Sequence, residues 1–156
     1  MKKVLFSIAL VFMVAIFLTG CEIPEKKITC KLTSNQESSG YVLNTTYTIF
    51  YKESIVSKIN IQEEIKSDSE TILSYFEKYL KEQYDSNKEL YGGYTNEVTK
   101  KDKTVNTNVT IDFNELNINK YIEDNPAMKS FVDSNNKMKV SGMKTLYESM
   151  GATCDN

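Results

Sequence analysis

Three groups of neighbouring carboxylates are the residues best suited to catalysis in this 156-residue chain: Glu63-Glu64, Glu123-Asp124 and Asp112/Glu115. Two carboxylates facing one cleft, in environments that separate their pKa values, supply a general acid and a general base for hydrolysis. Adjacent acids in a strand point to opposite faces, however. Asp112, at a strand end, is placed to cap a turn over 115–117. Other catalytic devices are missing. The chain has no His, Arg or Trp, which excludes the commonest general base, the Ser-His-Asp and Cys-His systems and the usual zinc ligand. G-x-S-x-G does not occur, and Gly92-Gly93 is not followed by the Gly-Lys-Ser/Thr of a phosphate loop. Asp133-Ser134-Asn135-Asn136 lacks the spacing and the bidentate acid of a calcium loop. The expectation is no catalytic residue, no metal and no cofactor, with the acids serving as solvated charge. Binding chemistry has one candidate. Tyr91 and Tyr94 flank Gly92-Gly93, so the segment reads either as an aromatic binding loop or as plain helix termination.

Cys21 carries a more specific signal. Met1-Lys2-Lys3 is a short basic segment, and Val4–Leu18 is apolar except for Ser7. That is the form and length of a secretory signal, short of the ~20 residues a membrane-spanning helix needs. Leu18-Thr19-Gly20-Cys21 resembles the bacterial lipobox, in which small residues admit the chain to a signal peptidase and the cysteine sulfur accepts a diacylglyceryl group. The resemblance implies a signal peptide over 1–20 and a lipidated Cys21 followed by a polar tether to residue 27. The expected location is the extracytoplasmic face of the cell membrane, with the bilayer as a partner through diacylglyceryl-Cys21. Two acyl chains hold where one does not, at ~0.8 kcal/mol per buried CH₂.

Residues 21–156 carry 17 Lys against 21 Asp and Glu, a net charge of −4. With no arginine fork, this balance argues against nucleic acid as a partner. Two cysteines remain, Cys30 and Cys154. Export favours one bridge between them, tying the first strand to the C-terminal tail, with two free thiols as the alternative. A redox role has neither C-x-x-C spacing nor a histidine to support it. Richness in Lys, Asn, Ile and Tyr without Arg points to an A+T-rich genome, hence a low-G+C Gram-positive source.

The elements that must position these residues can be read from periodicity. Ile28–Leu32, Tyr41–Tyr51 and a strand with Ile55, Ile59 and Ile61 on one face read as an antiparallel meander, with turns at 34–40 and 52–54. Ser67 and Glu70 have capping-box spacing, and Ile72, Leu73, Phe76, Tyr79, Leu80 and Tyr84 then recur at helical spacing over about 68–88. Tyr94–Lys100 and Thr104–Phe113 form a hairpin. Asn125-Pro126 opens a short helix over about 126–134, Ser141 caps another over about 142–150, and 152–154 returns to the sheet. The predicted domain, 28–156, is α+β: an antiparallel sheet (three-strand meander plus hairpin) with one long and two short helices packed on one face.

Lipobox, meander, long helix, a hairpin ending in Asn108-Val109-Thr110-Ile111-Asp112, and a last helix from Gly142-Met143 to Met150-Gly151 together resemble the YehR-like small bacterial lipoproteins. The resemblance is closest over 92–151. It implies a fold and a membrane-anchored location, and no catalytic residue. The cysteine pair is not part of it and rests on export alone.

The function expected is a monomeric, membrane-anchored, non-enzymatic binding or envelope-associated module, its partner an unidentified envelope protein or ligand. A carboxylate-dependent hydrolase of cell-wall polymers is the alternative. A transporter's ligand receptor fits less well, since one small domain has no second lobe to close. Anchoring has a direct test: Cys21→Ala moves the protein out of the detergent phase in Triton X-114 partitioning, and its retention there overturns the lipid anchor.

Overall fold

The computed structural model describes residues 23–155. The segment 1–20, the lipobox Leu18-Thr19-Gly20 and Cys21 lie outside the described residues. Among those described, no helix is long and apolar enough to cross a membrane.

Strands β1 (Lys26–Gln36), β2 (Tyr41–Lys52) and β3 (Ile55–Lys66) form the expected meander. A hairpin of β4 (Tyr94–Lys101) and β5 (Thr104–Asp112) lays β5 along β3, and β6 (Thr153–Cys154) returns to β1. The sheet order is β4-β5-β3-β2-β1-β6, antiparallel throughout. Cross-strand register stacks Cys30, Tyr47, Ile61 and Val109 in one row and Ile28, Ile49, Ile59 and Ile111 in the next, all on one face. Because side chains alternate at period two, each strand then presents Lys, Thr and Asn on the other face. The expected strand Ile28–Leu32 runs longer, to Gln36, since β2 offers a partner at every position. Only Glu37–Ser39, as a 3₁₀ turn, and Gly40 remain to reverse the chain.

One face assignment is corrected. Pairing shifts between Phe50 and Tyr51, so that Phe50 opposes Lys58 while Tyr51 opposes Val56, leaving Ser57 as the extra residue of a bulge. The extra residue inverts the parity of the residues before it. Val56 turns into the core at 3% exposure, and Ile55 leaves the face it was expected to share with Ile59 and Ile61.

Helix α1 (Glu70–Tyr91) crosses from β3 to β4 over the apolar face. Its N-cap is Ser69, whose side chain accepts from the Ile72 amide, rather than Ser67. Ser67 Oγ donates instead to the Gly40 carbonyl at 2.6 Å and accepts from the Ser69 amide at 3.0 Å, joining the helix start to the head of β2. Glu70 turns to Lys100 of β4 in place of closing a capping box. Leu73, Leu80, Tyr84 and Tyr91 are buried, whereas Tyr79, expected with them, is half exposed.

The later helices differ in detail. An unexpected helix, α2 (Ile118–Asp124), starts on Asn117, whose Oδ1 accepts from the Lys120 amide. Asn125 closes this helix by donating to the Tyr121 carbonyl, so it is not free to cap the next one. Pro126–Phe131 accordingly forms a 3₁₀ turn instead of an α-helix to 134. The last helix, α3 (Val140–Ser149), begins two residues before its expected start, with Lys139 as N-cap and Ser141 inside its first turn. Gly142 lets α3 approach that turn closely, since a Cβ there would lie 2.8 Å from Phe131 Cβ.

Ile49, Ile59, Leu73, Val105, Val109 and Met138 are fully buried between sheet and helices, the α+β arrangement expected. Cys30 and Cys154 oppose one another on β1 and β6 and form a disulfide spanning 124 residues. Strand β6 is only two residues long and gains little from its own ladder; Asp155 adds a backbone bond to Thr29. Loop closure over such a span stabilises by up to about 4–5 kcal/mol on the chain-entropy account. Reduction is therefore expected to lower the melting temperature and to strip amide-exchange protection from 152–155 first. Uniform loss of protection across the sheet would show that the bridge holds the whole fold.

Candidate functional site

Two helices cover the sheet unevenly. Helix α1 lies chiefly on β4 and β5, and α3 on β1 and β2. Between them, over β3, a cavity of about 330 Å³ remains. Its floor is Ile59 and Ile61 of β3 with Ile111 and Tyr94 of the hairpin. One wall is Gln83, Tyr84 and Asn87, successive positions on one side of α1; the other is Met143, Leu146, Tyr147 and Met150 of α3. Phe113, Leu116, Tyr121 and Met128 close one end. None of the described residues lining it is charged. Apolar walls with a few convergent polar tips are the usual make-up of a small-molecule site.

Six of the ten tyrosines gather in or directly behind these walls. Tyr147 stacks on Tyr47 with ring centroids 3.9 Å apart and planes 14° from parallel. Tyr91 meets the ring of Tyr121 edge-on at 5.2 Å, and the Tyr94 hydroxyl donates to that of Tyr121. Burial, reinforced by neighbouring tyrosines, pushes Tyr94 and Tyr147 well above the ordinary phenol value. They stay neutral, offering ring faces and hydroxyls rather than charge. Met143 sulfur and the half-exposed Met150 give the α3 wall a deformable lining.

One residue that the sequence pattern assigned to solvent is partly buried and bonded to the cavity wall through Tyr84, without lining the cavity itself. Glu63 lies two positions after Ile61 on β3 and so shares its face. It lies between Thr45 of β2 and Thr107 of β5, and the Tyr84 hydroxyl donates to its Oε2 at 3.0 Å. Burial pushes the Glu63 carboxyl above its usual range, and the Tyr84 bond only partly opposes this. Thr107, 3% exposed, has a buried Oγ1 with no hydrogen-bond partner. The signal was present in the chain: Ile59, Ile61, Glu63, Ile65 is an acid in an otherwise apolar period-two row.

The other candidates disperse. Glu64 emerges on the opposite face of the sheet and pairs with Lys66. Asp112 Oδ1 accepts from the Asn114 amide at 2.8 Å and holds the turn after β5, while Glu115 points to solvent. Glu123 is exposed, and Asp124 pairs with Lys120. Asp133 spends its carboxylate on the Asn135 and Lys137 amides. Among the described residues no cluster of three or more Cys, Asp or Glu stands where it could hold a metal.

Tyr91 and Tyr94 are 9% and 5% exposed, so neither ring stands out from a surface loop. Gly93, at φ +68°, has room for no Cβ: one would lie 2.7 Å from the Asp112 carbonyl and 2.8 Å from the Leu116 amide. The tight connection drops Tyr91 behind Tyr121 and directs Tyr94 into the cavity floor.

Elsewhere a depression of about 420 Å³ is lined by Asn44, Thr46, Gln62, Glu63 and Glu64 of β2 and β3 and by hairpin residues that include Glu97 and Thr107. It lacks an apolar wall, so a bound molecule would keep most of its surface in water.

Glu63 gives the site a pH signature. A carboxyl held above its unfolded value contributes stability that is complete below about pH 4.5 and lost as pH rises through the raised folded value. Glu63→Gln should therefore raise the melting temperature at neutral pH and match wild type in acid. Equal melting temperatures across pH 4–8 would show that the carboxyl is solvated.

No protein-family profile matches this chain, and no curated protein matches its sequence at a significant level. Solved structures do match its fold. The solution structure of a protein from Streptococcus pneumoniae TIGR4 superposes with a TM-score of 0.56 at 18% identity, covering 88% of each chain. That of Escherichia coli YehR superposes with a TM-score of 0.54 at 19% identity, covering 83% of this chain and 91% of YehR. The chain is thus similar in fold to YehR, as its order of elements led one to expect.

Proposed function

We propose that this is a lipid-anchored extracytoplasmic protein of the YehR-like kind whose domain is a non-enzymatic module holding a small, largely apolar ligand between α1 and α3. The tyrosine- and methionine-lined cavity, open to solvent on the side of Met150, carries the reading. An engineered apolar cavity of about 150 Å³ takes up benzene; this one is about twice that size, at about 330 Å³. Its walls come from separate helices that each pack on different strands, which lets the gap adjust to an occupant. The signal-like segment 1–20 and Cys21 support tethering, and a tether of six or so residues, spanning at most ~20 Å, keeps the domain at the membrane face. Hydrolysis is less well supported, because the paired acids it needs are split between faces or committed to turns.

The test is titration of benzyl alcohol against the full chain in lipid nanodiscs, read from the methyl resonances of Met128, Met143 and Met150. Saturable shifts at these methyls support the reading. They should vanish in Met143→Trp, whose larger side chain fills the gap. Shifts that never saturate, or that persist in Met143→Trp, would mean that the probe enters lipid rather than the cavity.

A further inference from the structure

We infer that the ligand of this cavity is an uncharged amphiphile: an apolar body lies between the helices, and one alcohol or amide head is held at the rim by the side chains of Gln83 and Asn87. The inference rests on the binding reading above and adds the charge and the orientation of the occupant.

The lining bears on charge first. Ile59, Ile61, Met143 and Leu146 are apolar, and no charged side chain is among the described residues that line the cavity. An ammonium or carboxylate group drawn in would give up its water and meet no counter-charge, which is costly. Glu63 does not alter this. It lies outside the lining, bonded to the Tyr84 hydroxyl at 3.0 Å. A neutral molecule incurs no such cost.

Orientation follows from where the free polar groups stand. The floor residue Ile59 is fully buried, and Tyr94, Leu116 and Met143 nearly so. Gln83 and Met150, on opposite walls, are exposed and mark the mouth. Gln83 and Asn87 stand one turn apart on the cavity side of α1, and they supply the only side-chain amides among the described lining residues. Neither amide is engaged by another described residue. The hydroxyls of Tyr84 and Tyr94, by contrast, already donate within the protein, to Glu63 and to Tyr121. A hydrogen-bonding head is therefore met at the mouth and an apolar body further in. Each amide can both donate and accept, so the pair suits an alcohol or amide head, which does the same.

The experiment compares benzyl alcohol, benzylammonium, benzoate and toluene, which share one ring, on the full chain in phosphatidylcholine nanodiscs at pH 7, using the same methionine methyl resonances. Benzyl alcohol should bind at least about tenfold more tightly than either ion. When Gln83→Ala and Asn87→Ala are combined, changes that suit a helix, benzyl alcohol should weaken about fivefold, the size of one net hydrogen bond. Toluene, which has no head, should be unaffected. If either ion binds as tightly as benzyl alcohol, the inference fails while the cavity reading stands. If the double variant leaves benzyl alcohol unchanged, or weakens toluene equally, the amides do not hold the head and the inference fails. Saturable binding of none of the four overturns the inference and the binding reading together.

Discussion

Covering one apolar sheet face is the constraint on which the rest of this structure depends. Six antiparallel strands at about 4.8 Å spacing make a surface roughly 24 Å wide, and bulge and register keep the apolar rows of all five long strands on the same side. Two helices about 10 Å in diameter cannot span that width while each packs directly on its own strands. Helix α1 is drawn to the hairpin edge by its short connection to β4, and α3 to the opposite edge by the return of β6 to β1. The middle strand, β3, is left with the helices on either side and only the flank of α1 against it. Segment 113–131 closes one end of that gap and leaves it hollow.

Tyrosine is the residue that makes such a gap tolerable. Its ring buries apolar area while its hydroxyl finds a partner, so a half-wet interior is lined without orphaned polar atoms. The paired hydroxyls of Tyr94 and Tyr121 and the bond from Tyr84 to Glu63 obey this rule. Glu63 and Thr107 depart from it. A partly buried carboxyl bonded to one phenol, and a buried threonine hydroxyl with no partner, both cost stability. Departures of this kind, in an otherwise consistent core, are where function is expected to reside.

Much of this architecture could be read locally. Tyr41–Tyr51 and Thr104–Asp112 alternate at period two, α1 has a wide stripe at helical spacing, and Gly92-Gly93 marks the end of that helix. Errors fell where a residue's partner is distant in sequence. Ser67 was free to bond Gly40 only once β2 and β3 were paired, which left Ser69 to cap the helix. Asn125 was consumed by the helix behind it. The bulge at Ser57 reverses the side on which Ile55 lies, and nothing within β3 itself announces it.

The sequence by itself determined the class of the fold, the meander and hairpin, and the long helix, because each rests on hydrophobic periodicity and turn chemistry spanning a few residues. It also carries the signal-like segment and the thiol of Cys21, whose meaning is linear. Only the tertiary structure decided that Cys30 meets Cys154 across 124 residues, that Tyr91 and Tyr94 turn inward, and that Glu63 takes Tyr84 as its partner while its neighbour Glu64 takes Lys66. The cavity belongs to the second group. It is the space between elements placed by separate connections, and no window of sequence contains a distance between two helices.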